Sequence, residues 1–199
     1  LTHRGPDDKG VYIEGPIALG HRRLSIIDIA GGHQPMQSND KNFTIVFNGE
    51  IYNYPSLKKE LSKEGFSFQT NSDTEVIINQ YAKNGASCVD HLEGMFTFAI
   101  WDSARQQLCI ARDRVGIKPL YYSVSSKGLI FASEIKSLLK SGLITAELDY
   151  DAIDSFMTLG WVPGPNTLFK GIKKLLPGHY CVAKPGGHFS THKYWSTEH

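Results

Sequence analysis

Cysteine is scarce in this sequence, and long apolar runs are missing altogether. Three cysteines, Cys88, Cys109 and Cys181, lie far apart among 199 residues. An odd, scattered set argues against a disulfide framework and against a zinc site, and it points to a reducing, cytoplasmic compartment. No apolar stretch approaches the roughly 20 residues of a membrane-spanning helix, so no membrane partner is expected. Neither sign of charge dominates: 21 Lys and Arg stand against 20 Asp and Glu, a net charge of +1. The basic residues are dispersed, which excludes a nucleic-acid footprint. There is no phosphate-binding loop, no GxGxxG and no HExxH. The eight histidines show no paired ligand spacing, which predicts surface or capping roles and no metal. The opening Leu1-Thr2-His3-Arg4-Gly5-Pro6 has neither an initiator methionine nor a signal-peptide pattern.

What is present is an ordinary globular balance, 41% hydrophobic and 21% charged. The apolar pattern is mostly of period two and marks strands. These are Val11–Glu14 and Ile17–His21 around Gly15-Pro16, and Phe43–Phe47 leading into Asn48-Gly49. Further on come Met95–Trp101, Gln107–Arg112, Leu120–Val124 and Leu129–Ala132, whose turn-separated order predicts an antiparallel meander. Helical spacing appears in Tyr54–Lys63, with Pro55 near its start and Leu57 and Leu61 on one face. It recurs in Asp73–Asn84, which carries Val76, Ile77 and Tyr81 and has Ser72 or Asp73 as N-cap. Shorter helical pieces are Cys88–Leu92, Glu134–Lys140 and Asp149–Leu159. The C-terminal end, with Pro163, Pro165, Pro177 and Pro185 and a hairpin-like pair about Gly186-Gly187, reads as an extended wrap-around segment. Strands sharing a sheet with helices segregated between them define an α+β class. Residues 1–145 are expected to form the core and 146–199 the C-terminal part of the same domain.

Four polar clusters fall at strand or helix ends. In His21-Arg22-Arg23-Leu24-Ser25-Ile26-Ile27-Asp28, an arginine just past a strand could clamp a carboxylate through its planar fork. In Phe47-Asn48-Gly49-Glu50-Ile51-Tyr52-Asn53, an asparagine amide beside a glycine N–H is oxyanion-hole material, both being neutral donors fixed before charge develops. Asp73, in Asn71-Ser72-Asp73-Thr74-Glu75-Val76, could hold an ammonium group at a helix start. Singly, these also read as a surface ion pair, a hairpin turn and a helix cap. The fourth cluster, Ala111–Tyr122, alternates charges around Gly116 and Pro119 and predicts an ordered, ion-paired turn. Tyr52, Tyr54, Tyr121 and Tyr122 read as core-edge aromatics, and the three cysteines as small packing residues.

In this order, the segments resemble the class II glutamine amidotransferase domain. The resemblance rests on His3-Arg4-Gly5-Pro6-Asp7, Gly20–Asp28, Gly32-His33-Gln34-Pro35-Met36, Phe47–Asn53, Ser72–Ile77, Gly94-Met95-Phe96, Ala111–Tyr122 and Phe131–Lys136. It covers essentially the whole chain and is nearest the glutamine-hydrolysing asparagine synthetase branch. It implies an N-terminal-nucleophile αββα sandwich, two antiparallel sheets between helix layers, here lacking its first strand. It implies hydrolysis of the glutamine side-chain amide by an N-terminal cysteine whose own α-amino group is the general base. Arg23 would bind the α-carboxylate of L-glutamine and Asp73 its α-ammonium. Asn48 and the Gly49 N–H would form the oxyanion hole, and Glu50 would line the site. Backbone about Leu24, Ser25, Ile26 and Ile27 would shape the pocket.

The family nucleophile is the first residue after methionine removal and is followed by a glycine- and isoleucine-rich strand, whereas this sequence begins with Leu1, in the motif that follows that strand. The 199 residues as they stand are therefore expected not to hydrolyse glutamine. The resemblance places no cofactor in this domain. It implies ATP and Mg²⁺ in a C-terminal synthetase domain in cis that this chain does not include, and it allows for a homodimer. Three readings follow: a domain serving amidation of aspartate to asparagine, the same domain serving another carboxylate acceptor, or a catalytically dead glutamine-binding or interaction module.

Overall fold

The computed structural model describes residues 3, 5–24 and 32–197. The chain opens with a hairpin of β1 (Asp8–Glu14) and β2 (Ile17–Arg23), turned at Gly15-Pro16 as their sequence predicts. A short β3 (Met36–Gln37) precedes the long β4 (Phe43–Ile51), and two helices follow, α1 (Tyr54–Lys63) and α2 (Asp73–Asn84). A 3₁₀ turn over Gly85–His91 leads to β5 (Gly94–Asp102) and β6 (Gln107–Arg112). Then come β7 (Tyr121–Ser125), β8 (Gly128–Ala132), α3 (Ile135–Lys140) and α4 (Tyr150–Leu159). The chain ends with β9 (Lys173–Lys174), β10 (His179–Lys184) and β11 (His188–Lys193).

Among the described residues the strands form three antiparallel sheets: β1-β2, the six-stranded β11-β10-β6-β5-β4-β3, and β8-β7-β9. Alternation along β4 and β5 gives the six-stranded sheet two apolar faces, as a buried sheet requires. One face, with Ile45, Phe47, Phe98 and Ile100, packs on Leu57 and Leu61 of α1 and on Val76, Ile77 and Tyr81 of α2. The other, with Val46, Ala99 and Trp101, packs on Leu19 of β2 and on Tyr122 and Phe131 of β7 and β8. The layers are thus helices, sheet, and a second antiparallel layer made of two pieces, with α3 against β8.

The expected meander is corrected here. Strands β5 and β6 pair as neighbours, but β6 then meets β10, while β7 and β8 cross to the second layer. The loop after β6 turns the chain out of the sheet, and it is not ion-paired as its charges suggest. The Asp113 carboxylate accepts the N–H groups of Val115 and Ile117 on one oxygen, and of Phe96 and Lys118 on the other. The Arg112 guanidinium donates to the carbonyls of Lys118, Leu175 and Gly116 at 2.6–2.7 Å. Buried main-chain groups at this crossing would otherwise lack partners, so the charges are spent on backbone.

Local chemistry explains α2. The Ser72 hydroxyl accepts the Thr74 N–H as N-cap, and Asp73 and Glu75 place negative charge in the first turn. The Glu75 carboxylate also gathers the N–H groups of Gln69 and Thr70, fixing the loop into the helix. All three cysteines are buried, as expected of packing residues. Of the four tyrosines, Tyr54, Tyr121 and Tyr122 are half-buried, whereas Tyr52 is exposed and belongs to no core.

Candidate functional site

A cavity of about 560 Å³ opens between β2, β4, β5, β8 and the start of α2. Arg23, Leu24, Asn48, Gly49, Glu50 and Asp73 all line it. Ser25, Ile26 and Ile27 lie outside the described residues. The three sequence clusters at Arg23, Asn48-Gly49 and Asp73, 50 residues apart at their extremes, therefore converge on one wall.

The Asn48-Gly49 pair is not a turn. It lies inside β4, in register with Thr97 and Phe96 of β5. A Cβ built on Gly49 would stand 2.1 Å from the Met95 carbonyl oxygen and 2.7 Å from the Phe96 Cα. The residue is glycine because the neighbouring backbone leaves no room for a side chain. Residue alternation puts Asn48 on the same sheet face as Val46, toward the second layer.

The other edge of β4 carries the polar geometry of the site. Residues Ile45, Phe47, Gly49 and Ile51 turn their N–H and C=O groups away from β5, by the antiparallel alternation. Ile45 pairs with Met36 of β3, and β3 ends there. Beyond it, side chains take the place of a strand. The Phe47 N–H donates to Gln34 Oε1 at 2.6 Å, and the Phe47 carbonyl lies 2.9 Å from His21 Nε2. The Ile51 N–H donates to Asp73 Oδ2 at 3.1 Å. Between them the Gly49 N–H remains an edge donor without a partner among the described residues. Gly49 follows Asn48 in the chain, and both residues line the cavity.

Charged residues line the same cavity. Asp73 is 4% exposed, and burial raises its pKa despite N–H bonds from Ile51, Thr74 and its own backbone; the Glu50 charge raises it further. An ionised Asp73 is thus held at a cost that a bound cation would relieve. Arg23 is 8% exposed on β2 and supplies the fixed positive charge. Leu24 is exposed at the rim. None of the three cysteines lines the cavity. Burial pushes the Cys88 and Cys109 thiols well above the ordinary range and that of Cys181 up to about 12. Among the described residues no group of three His, Cys, Asp or Glu side chains could hold a metal ion. No described helix is long and apolar enough to cross a membrane.

Two site residues escape the sequence reading. His21 is expected at the surface or as a cap, yet it is half-buried and lines the cavity beside Arg22. Its signal was present: Leu19, His21 and Arg23 share one face of β2 by period two. Gln34 is buried, and its Nε2 donates to Thr74 Oγ1 at 3.3 Å. No local pattern marks it.

This fold is that of the N-terminal-nucleophile glutamine amidotransferases. It matches a structure described as the allosteric regulatory enzyme of purine biosynthesis with a TM-score of 0.61 at 22% identity, over 91% of this chain and 35% of that one. It also matches the glutamine phosphoribosylpyrophosphate amidotransferase from Bacillus subtilis with a TM-score of 0.60 at 22% identity, over 91% and 35%. The chain itself belongs to the glutamine amidotransferase domain family, whose sequence model matches residues 1–195. It is 42% identical over 201 residues to asparagine synthetase [glutamine-hydrolyzing] 3 of Bacillus subtilis, covering 100% of this chain and 33% of that protein. It is 41% identical over 195 residues to asparagine synthetase [glutamine-hydrolyzing] 1 of the same organism, covering 98% and 31%. It is 42% identical over 202 residues to amidase chry2 of Gibberella zeae, covering 100% and 29%. The chain spans about a third of the length of these relatives.

Proposed function

We propose that the cavity binds L-glutamine, with Arg23 on the α-carboxylate, Asp73 on the α-ammonium, and the side-chain carbonyl oxygen facing the Asn48 amide and the Gly49 N–H. The observation that carries this reading is the edge of β4: the Gly49 N–H, without a partner among the described residues and next to Asn48 in sequence, in a cavity that buried Arg23 and buried Asp73 also line. Both donors are neutral, and the sheet holds the Gly49 N–H in place to meet negative charge on a carbonyl oxygen. Glu50 closes the wall, and Leu24 with Ser25, Ile26 and Ile27 would shape the amino-acid end.

In a polypeptide that supplies the N-terminal cysteine, the reaction is hydrolysis of glutamine to glutamate and ammonia. The cysteine thiolate attacks the amide carbonyl, its α-amino group moves the proton, ammonia leaves, and water releases glutamate from the thioester. The names of the Bacillus subtilis relatives, glutamine-hydrolysing asparagine synthetases, support delivery of that ammonia to asparagine synthesis, which on this reading is ATP-dependent amidation of aspartate. The equal likeness to a fungal amidase supports a second reading, in which the same domain serves another acceptor. Cys88, Cys109 and Cys181 are buried away from the cavity and have no α-amino base, so these 199 residues alone are expected to bind glutamine without turning it over.

Isothermal titration of the 199-residue chain with L-glutamine tests the reading, with glutamate release followed in parallel. Binding lost in Arg23→Ala, with no glutamate formed, is the expected result. Equal affinity for D-glutamine, no binding at all, or steady glutamate release would each sink it.

A further inference from the structure

We infer that His21, together with Gln34, is a positioning residue of the glutamine site: the two side chains clasp the Phe47 peptide groups and thereby aim Asn48 and the Gly49 N–H. The inference deepens the proposed glutamine reading and rests on it.

The geometry begins where β3 stops. Past the Met36–Ile45 pair no strand of the described residues supports the edge of β4, yet this is the stretch that must hold two donors still. Gln34 Oε1 and His21 Nε2 engage both main-chain groups of Phe47, at 2.6 and 2.9 Å. A carbonyl can only accept, so Nε2 carries the hydrogen and Nδ1 is a bare lone pair. That Nδ1 is buried and has no hydrogen-bond partner among the described residues. The tautomer is therefore set by the Phe47 carbonyl alone. The Phe47 carbonyl and the Asn48 N–H share one peptide plane, so fixing that plane fixes the direction in which Asn48 leaves the backbone.

The clasp also ties together the three elements that carry the proposed substrate contacts. His21 stands two residues before Arg23 on β2, and Phe47 immediately precedes Asn48 on β4. Gln34 reaches on to Thr74 Oγ1, next to Asp73 at the start of α2. Each contact residue lies within two positions of a clasp member or of a residue that the clasp bonds. A clasp so placed sets the distance between charges that must span one amino acid.

The imidazole also makes the clasp sensitive to acid. Burial is the main influence pushing its pKa below the ordinary histidine range, and Arg23 and His33 push the same way. The bond to the Phe47 carbonyl and the charge of Asp8 oppose them. A proton added at Nδ1 would enter a buried position with no acceptor, beside Arg23. The neutral ring is the working form, and acid should loosen the site before the fold.

Three variants of the 199-residue chain decide the matter: wild type, His21→Gln, which keeps an amide N–H donor at similar reach, and His21→Leu, which removes the donor. Long-range ¹H–¹⁵N spectra without ligand should show His21 protonated at Nε2 and bare at Nδ1 near pH 7. The Asn48 and Gly49 amide signals should shift in His21→Leu and stay near wild type in His21→Gln. Glutamine affinity should fall about tenfold or more in His21→Leu, the effect of leaving a buried carbonyl unpaired, and stay within about threefold in His21→Gln. The loss of affinity on acidification that His21 causes should vanish in His21→Gln, leaving only the part due to Asp73. An Nδ1–H tautomer, undisturbed Asn48 and Gly49 signals in a folded His21→Leu, or an unchanged acid limb in His21→Gln would overturn the inference. If His21→Leu fails to fold, the wild-type tautomer and the His21→Gln pH profile still decide. Wild-type chain that binds no glutamine would refute the proposed ligand, while the ligand-free spectra would still judge the clasp.

Discussion

Replacing Asp73 with asparagine should leave the chain as easy or easier to fold and worse at holding glutamine. The side chain is 4% exposed, and burial is the largest influence on it, raising its pKa. Carrying a charge there opposes folding. Three contributions offset the burden: the Ile51 N–H at 3.1 Å, the Thr74 N–H, and the positive end of α2. An asparagine oxygen can still accept from Ile51, so the variant gives up only the charge-dependent part, about 0.3–1 kcal/mol for the helix end. It also sheds the desolvation of a carboxylate, which costs several kcal/mol per buried ion before any partner is found. The expected net is a stability unchanged or raised by about 1 kcal/mol. Binding should move the opposite way. A ligand ammonium buried without its counter-charge loses about 2–5 kcal/mol, a Kd roughly 30-fold higher or more.

Acid dependence separates the two effects. Because the folded pKa is raised, the folded chain binds the Asp73 proton more readily than the unfolded chain. This group's contribution to stability therefore falls as pH rises from the ordinary carboxylate range through the raised folded value. Glutamine affinity should instead fall as pH drops into that window, since a neutral carboxyl offers no counter-charge. Both slopes should flatten in Asp73→Asn. Urea unfolding and calorimetric titration from pH 4 to 8 on the two proteins measure everything needed. A variant destabilised by more than about 2 kcal/mol that binds glutamine as tightly as wild type would refute the reasoning and make Asp73 a structural cap.

Three further outcomes follow from the same structure. Gly49→Ala drives a Cβ into the backbone of Met95 and Phe96, so β4 and β5 must part; a loss of about 1–3 kcal/mol in urea unfolding is expected, together with loss of glutamine binding. Asp113→Asn sets an amide N–H against two of the four N–H groups that the carboxylate now accepts; the expected loss is about 2–4 kcal/mol by the same assay, with a visibly lower Tm. The three cysteines should resist a thiol-specific disulfide reagent at pH 8 in the native chain and react fully in denaturant, since all are buried with raised thiol pKa values; rapid native labelling of even one would contradict the packing described.

The helices were legible because their signals are local. Ser72 caps α2, Pro55 opens α1, and the apolar positions recur within a few residues. The strands were legible as strands but not as partners. Pairing β6 with β10 joins residues some 70 positions apart, and no local pattern encodes it; the turning of β7 and β8 into the second layer depends on buried hydrogen bonds of Asp113 and Arg112 that look like surface charges in sequence. Asn48-Gly49 shows the same limit at the site. Locally the dipeptide favours a turn, but the approach of β5 overrides that preference and keeps it extended. Arg23, Asn48, Gly49, Glu50 and Asp73 were each ambiguous alone and became a set only through the family resemblance. His21 was misjudged because histidine was weighed as a metal ligand or surface group rather than as a donor on the buried face of β2.

The side-chain bonds along β4 also decide what kind of molecule that edge can accept. A bare strand edge is a template: it offers alternating donors and acceptors over many residues and recruits extended peptides, including copies of its own chain. Here Gln34 and His21 occupy both groups of Phe47, and Asp73 occupies the Ile51 N–H. Among the described residues, the edge between these bonds is one residue long, the N–H and C=O of Gly49. No peptide strand can zip into a gap of that length, but a primary carboxamide carries one acceptor and one donor of matching size. The edge is thereby closed to strand pairing around Gly49, and under the glutamine reading it admits an amide there instead.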